Sequence, residues 1–159
     1  MSTAAELERR LWSALRSDRV LMLGLAGKDD GHTRPMTAIV EDGDRGPIWF
    51  FTSTDNEIVT SGGGRAVAAF VSKGHDLFAT IHGRLTIDTD PATVERHWNS
   101  MVAAWFDGQS DPKLRLLRLD PEGAQIWENA SSILAGVKAL LGADPKEDYK
   151  NKVAAVPLR

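Results

Sequence analysis

The sequence predicts a β-rich α+β chain folded as a small antiparallel barrel with flanking helices. Short apolar runs alternate with Gly- and Asp-rich reversals. The early runs follow one another without the helical crossovers that parallel strands need. Helical periodicity is confined to the start, to a segment after Asp90 and to the tail.

Each element has a local reason. Thr3 and Glu6 have capping-box spacing, and Leu7, Leu11, Ala14 and Leu15 recur on one helical face, predicting a helix over residues 1–17. Val20 to Ala26 reads as a strand, and Gly27-Lys28-Asp29-Asp30-Gly31 as a turn. A second strand is expected from His32 through Ile39 to Glu41, and a third over Pro47-Ile48-Trp49-Phe50-Phe51-Thr52, in meander order. Ser53 or Thr54 is expected to cap a short helix, with Glu57 completing a capping box from Thr54 and Gly62-Gly63-Gly64 ending it. Arg65 to Val71 reads as a buried strand and Leu77 to Ile87 as a longer one, in which Gly83 predicts a bulge or bend. Asp90-Pro91 starts a helix expected to carry Val94, Trp98, Met101, Val102 and Trp105. Two more strands, Leu114 to Leu119 and Ala124 to Trp127, are expected around a turn at Asp120-Pro121-Glu122-Gly123. Residues 130–159 are expected as a helical tail with Ile133, Leu134, Val137, Leu140 and Leu141 on one side and a final apolar segment near Val153.

At 159 residues, with 42% apolar and 26% charged side chains, the chain has room for one domain with a real core. A net charge of −3, with both signs mixed along the chain, argues against nucleic acid or an anionic membrane as a partner. Absent cysteines exclude disulfides, thiolate metal sites and thiol nucleophiles. The start of the chain is polar, without the apolar run of a signal peptide, so a cytoplasmic protein is expected. His32, His75, His82 and His97 fall on different elements without metal-motif spacing, so no metal is expected. Neither a Gly-x-Ser-x-Gly elbow nor a Gly-x-Gly-x-x-Gly loop is present.

The pair of segments Arg34-Pro35-Met36-Thr37 and Trp49-Phe50-Phe51-Thr52-Ser53 is more informative. An arginine on an otherwise apolar strand needs an anionic partner, because a lone buried guanidinium is costly. That partner is either a phosphate, helped by the hydroxyls and free N–H groups of Thr52, Ser53 and Thr54 at a helix start, or a nearby carboxylate.

These two segments, with the strand ending Ile81-His82-Gly83 and the later Trp98 and Trp105-Phe106, resemble the pyridoxamine 5′-phosphate oxidase-like superfamily, most closely its FMN-binding general stress protein branch. The similarity runs from the opening helix to Trp127. It rests on the ordered set of motifs rather than on any single one. The resemblance implies a six-stranded antiparallel split β-barrel that forms a homodimer and holds FMN, or FAD or another flavin, in the cleft between subunits. By the same resemblance Arg34, Pro35, Met36 and Thr37 line the flavin and its phosphate from one strand, and Phe51, Thr52 and Ser53 from the next. Trp105 lies near the flavin from the partner subunit. For Trp12 and Trp127 ordinary core or interface packing is expected.

The chain departs from the oxidases at two places. Ile39 stands where they carry a lysine for the substrate phosphate, and Asn56-Glu57-Ile58 stands where they carry an Arg-Lys pair for the FMN phosphate. The first departure argues against pyridoxamine-phosphate oxidation, and the second for weaker FMN binding. The expected function is a flavin-dependent oxidoreductase acting with an unknown small-molecule redox partner. The alternative is a non-catalytic flavin carrier or stress-linked sensor. A deazaflavin or haem in the same cleft is a third possibility, and no catalytic residue stands out.

Overall fold

The computed structural model describes residues 2–28, 30–129 and 153–159. Helix α1 (Ala4–Asp18) opens the chain, with the expected capping box between Thr3 and Glu6. It buries Leu7, Leu11, Trp12 and Leu15 against the main core.

The sheet consists of β1 (Val20–Leu25), β2 (Arg34–Thr37), β3 (Ile39–Val40), β4 (Ile48–Ser53), β5 (Gly64–Val71), β6 (Leu77–Ile87), β7 (Leu114–Glu128) and β8 (Val153–Pro157). Its order is β2-β1-β5-β6-β7-β4-β3, with β8 added on β7 and every pairing antiparallel. The two outermost strands, β2 and β3, are successive stretches of chain parted by Ala38, whose N–H donates to the Arg19 carbonyl at 2.7 Å. The expected single strand from His32 to Glu41 is therefore broken at Ala38. Its first half pairs with β1 and its second with β4, which nearly closes the sheet into a barrel. With β2 and β3 taken as one interrupted strand, six strands circle the barrel.

Strand β4 explains the continuous run Ile48-Trp49-Phe50-Phe51. Ile48 and Phe50 enter the main core, while Trp49 and Phe51 join a second apolar cluster with Val94, Leu114, Leu116 and Trp98. A strand covered on both faces loses the apolar–polar alternation of a half-exposed one. Strand β5 shows that alternation. Ala66, Ala68 and Phe70 are buried and Arg65, Val67, Ala69 and Val71 exposed, so the strand expected to be buried is buried on one face only.

The two strands expected around Asp120-Pro121-Glu122-Gly123 are one strand of 15 residues, β7. Its register against β6 shifts between His82 and Gly83, where His82 opposes Gly123 and Gly83 opposes Pro121, leaving Glu122 as the extra residue of a bulge. Glycine is required at position 83, because a Cβ there would sit 2.2 Å from the Asp120 carbonyl oxygen. The turn-like composition of residues 120–123 thus bends a strand instead of ending one.

The short helix α2 (Glu57–Thr60) is capped by Asn56, not by Thr54, so the expected capping box to Glu57 does not form. The Asn56 side chain accepts from the Ile58 N–H at 3.0 Å. Gly62 and Gly63, both with φ near +76 to +77, close α2 through N–H bonds to Val59 and Ile58 carbonyls, as the glycine run predicts. After Asp90, which caps α3 (Pro91–His97), the expected long helix is broken at Trp98. Asn99 caps a separate turn, α4 (Ser100–Ala103), by accepting from the Met101 and Val102 N–H groups. An asparagine there offers the backbone a cap that competes with helix continuation. The tail helix expected from Ser131 lies outside the described residues, and the final apolar segment is the strand β8.

Candidate functional site

A cleft of about 390 Å³ lies between the strands that flank Ala38 and the turn that Asn99 caps. One wall is β2 and the start of β3, contributing Pro35, Met36, Thr37 and Ile39. The end of β4 supplies Phe51, Thr52 and Ser53. The opposite wall is α4 and the following turn, with Met101, Val102, Trp105 and Phe106. Apolar and aromatic surface thus faces three hydroxyls, a lining typical of small-molecule sites, whose volumes run from about 300 to 1,000 Å³. None of the residues lining the cleft is ionisable.

The hydroxyls are held in place by neighbours. Thr52 Oγ1 accepts from Asn56 Nδ2 at 2.9 Å, and the Ser53 hydroxyl donates to Asp55. That hydrogen bond, followed by a backbone N–H and the more distant Lys113 charge, keeps the Asp55 carboxyl below the usual carboxylate range. A negative charge therefore stands next to Ser53 at neutral pH.

Of the eight residues expected at the site, Pro35, Met36, Thr37, Phe51, Thr52, Ser53 and Trp105 share this cleft, and Arg34 is not among its lining residues. Arg34 Nη2 lies 3.3 Å from Glu57 Oε2 and its Nη1 donates to Asn56 Oδ1 at 3.1 Å. The carboxylate alternative for Arg34 is thus present in the fold. Trp105, expected from the partner subunit, lines the cleft of its own chain and is 81% exposed. The sequence pattern assigns Met101 and Val102 only to the apolar face of a long helix. The signal that places them at the site is Asn99, whose capping turn swings them toward β2.

Trp49, in one cluster with the cleft residues Phe51 and Phe106, has the buried His97 ring 5.3 Å away and the Arg118 guanidinium 5.5 Å from its ring centre. His97 Nε2 lies 3.2 Å from Glu41 Oε1 without a well-aligned hydrogen bond, and Glu41 also pairs with Arg96 at 3.1 Å. Burial is the main cause that lowers the His97 pKa below its ordinary value; the Arg96 charge adds to it and Glu41 opposes it. Among the described residues no three His, Asp or Glu side chains come together as metal ligands, and no helix is long and apolar enough to cross a membrane.

A family model for pyridoxamine 5′-phosphate oxidase-like proteins matches residues 6–148. The chain belongs to the pyridoxamine 5′-phosphate oxidase-like family. Within that family it is similar to general stress proteins. A solved general stress family protein of Xanthomonas campestris is 58% identical, with a TM-score of 0.77, over 83% of this chain and 93% of that one. The general stress FMN/FAD binding protein of Xanthomonas citri is 57% identical, with a TM-score of 0.76, over 81% of this chain and 93% of that one. General stress protein 26 of Bacillus subtilis is 23% identical over 128 residues, which span 76% of this chain and 88% of the relative. The nearly closed antiparallel barrel described above is the split barrel of the pyridoxamine 5′-phosphate oxidase-like family.

Proposed function

We propose that this chain is a cytoplasmic, FMN-binding oxidoreductase of general stress type. In this reading it works as a homodimer and exchanges electrons between its flavin and a small organic partner. The observation that carries the reading is the convergence of Pro35, Met36, Thr37, Phe51, Thr52, Ser53 and Trp105 on one cleft. The FMN/FAD binding described for the Xanthomonas citri relative, at 57% identity, supports it.

The residues fit a flavin. Met36, Phe51 and Trp105 offer flat and polarisable apolar surface for a tricyclic ring, and Thr37, Thr52 and Ser53 offer hydroxyls to a ribityl chain and phosphate. The bound flavin would supply the redox chemistry, accepting and releasing a hydride equivalent. The protein's own part is to orient the ring against Phe51 and Trp105 and to exclude water from one face. The Asn56 amide fixes Thr52. The partner subunit in this reading covers the outward apolar strip of Val20 and Met22 on β1 and Val67 and Val71 on β5, all exposed in the single chain.

One observation favours the carrier reading instead: the cleft presents no ionisable group that could act as general acid or base. The absorbance spectrum of freshly purified protein tests the cofactor, since flavin, deazaflavin and haem have different bands. Turnover of NADH or NADPH by the flavin-loaded protein above that of free FMN supports the oxidoreductase. A flavin-loaded protein without such turnover supports the carrier.

A further inference from the structure

A second pocket, of about 290 Å³, adjoins the cleft. It shares Ile39 and Met101 with the cleft, and Arg16, Arg19 and Ser100 are among its other lining residues. The two arginines come from the C-terminal end of α1, one on its last turn and the other at its cap. Arg16 is partly engaged: its Nη1 donates to the Gly43 carbonyl at 2.6 Å, and Asp44 stands 4.0 Å from Nη2. Arg19 is exposed and pairs with no carboxylate among the described residues; its side chain makes one long bond, 3.4 Å from Nε to the Arg16 carbonyl.

The Arg19 backbone is itself held in place. Its φ of +60° is unusual for a residue with a side chain, and such strain persists only where surrounding structure over-determines it. Here two bonds do so. The Arg19 N–H donates to Leu15 at 3.2 Å, and its carbonyl accepts from Ala38, the residue at which β2 breaks from β3. The same hydrogen bond that opens the barrel strand therefore fixes Arg19 at the pocket.

We propose that this pocket is an anion subsite, at which Arg16 and Arg19 hold the carboxylate or phosphate group of a redox partner whose ring lies against the flavin held by the neighbouring cleft. Placing the ring beside a flavin rests on the proposed function; the anion subsite rests on the two guanidiniums alone. Cations also complement the carbonyl end of a helix, and the Arg19–Arg16 bond serves that role. Helix capping does not account for two guanidiniums lining one pocket that opens beside the cleft. The recognised chemistry is an oxyanion on a small planar molecule, which two fork-shaped donors suit.

Backbone amide chemical shifts, followed while the full chain is titrated with benzoate, phenyl phosphate and the neutral benzamide, test the assignment with and without added FMN. Benzoate and phenyl phosphate are expected to move the amides of Ala38, Ser100 and Met101, and benzamide to leave them in place. Arg19→Gln should weaken both anions by about tenfold or more at an unchanged melting temperature, with Arg19→Lys recovering part of the loss. Arg16→Gln should act in the same direction. Equal binding of benzamide and benzoate, or unchanged benzoate affinity in both glutamine variants, would overturn the subsite. A protein that binds no flavin but keeps the Arg19-dependent benzoate response retains the subsite and loses the proposed function. A flavin-loaded protein without that response loses the subsite alone.

Discussion

Arg34 on β2 and Glu57, the first residue of α2, form an ion pair with 3.3 Å between Nη2 and Oε2, beside the strands that line the cleft. Glu57 is 68% exposed on its side chain, so the pair itself adds little to stability, about 0–1 kcal/mol. Its consequence is for ligands: a phosphate approaching Arg34 must compete with Glu57. Glu57→Gln should therefore raise FMN affinity and leave riboflavin affinity unchanged. Arg34→Ala should cost about 1.5–3 kcal/mol toward FMN, roughly tenfold to hundredfold in affinity, and much less toward riboflavin. Titrations at two salt concentrations check both, since the differences should shrink as salt rises. Equal losses for the two ligands in Arg34→Ala would mark the arginine as structural.

Trp105 is 81% exposed in the single chain and contributes little to the core, yet it forms a wall of the cleft. Trp105→Ala should leave the melting temperature of flavin-free protein within about 1–2 °C, because exposed positions usually change stability by under about 0.5 kcal/mol. Flavin affinity should fall by roughly threefold to tenfold, matching an aromatic contact of about 0.5–1.5 kcal/mol. Flavin fluorescence titration reads the second effect and calorimetry the first.

Val67 at 36% and Val71 at 47% exposure point outward from β5 beside Met22 of β1, giving the barrel an apolar outer strip. If a second copy covers it, Val67→Glu and Val71→Glu should shift the sedimentation profile from dimer to monomer at micromolar protein and reduce flavin retention. A dimer unaffected by both changes would place the subunit contact elsewhere.

Acid should weaken the fold through His97. Its pKa is lowered in the native state by burial first and by Arg96 second, against the opposing pull of Glu41. The unfolded chain thus binds a proton that the folded chain refuses. The His97 contribution is fully present above about pH 6.5, the unfolded value, and is lost as pH falls toward the lower native value. Melting temperatures across this range should decline less steeply for His97→Gln than for the parent protein.

Gly83 sits where β6 meets the bulge in β7, and a Cβ there would lie 2.2 Å from the Asp120 carbonyl oxygen. Gly83→Ala should destabilise by about 1–3 kcal/mol, the usual cost of forcing backbone apart in a packed site. Gly43→Ala, with open space around it but a φ of +105°, tests backbone strain without the clash. Denaturant midpoints of the two variants separate steric from conformational cost.

Local features were the legible ones. The Thr3–Glu6 capping box, the Asp90-Pro91 start, the glycine stop after α2, the Gly83 bulge and the span of β6 all depend on residues close in the chain, and each is found as read. The misread features are those in which two local codes compete. Asn56 took the cap expected of Thr54 because its side chain also satisfies Arg34 and Thr52, partners that only the fold brings near. Residues 120–123 carry turn composition, yet pairing with β6 on one side and with β8 beyond the bulge keeps them extended.

The sequence by itself determined the class of fold, because apolar spacing and caps act over a few residues. Pro35 to Thr37 and Phe51 to Ser53 were legible as successive strand segments, and it was the family resemblance that assigned them to one site. Only the tertiary structure decided that Arg34 faces Glu57, that Trp105 lines the cleft of its own chain, and that Arg16 and Arg19 share a pocket with Ile39. The chain turns at the Ala38–Arg19 hydrogen bond and at the Asn99 cap, near the two pockets. Such long-range contacts are set by which elements bury their apolar faces together, a choice that no short window of sequence contains.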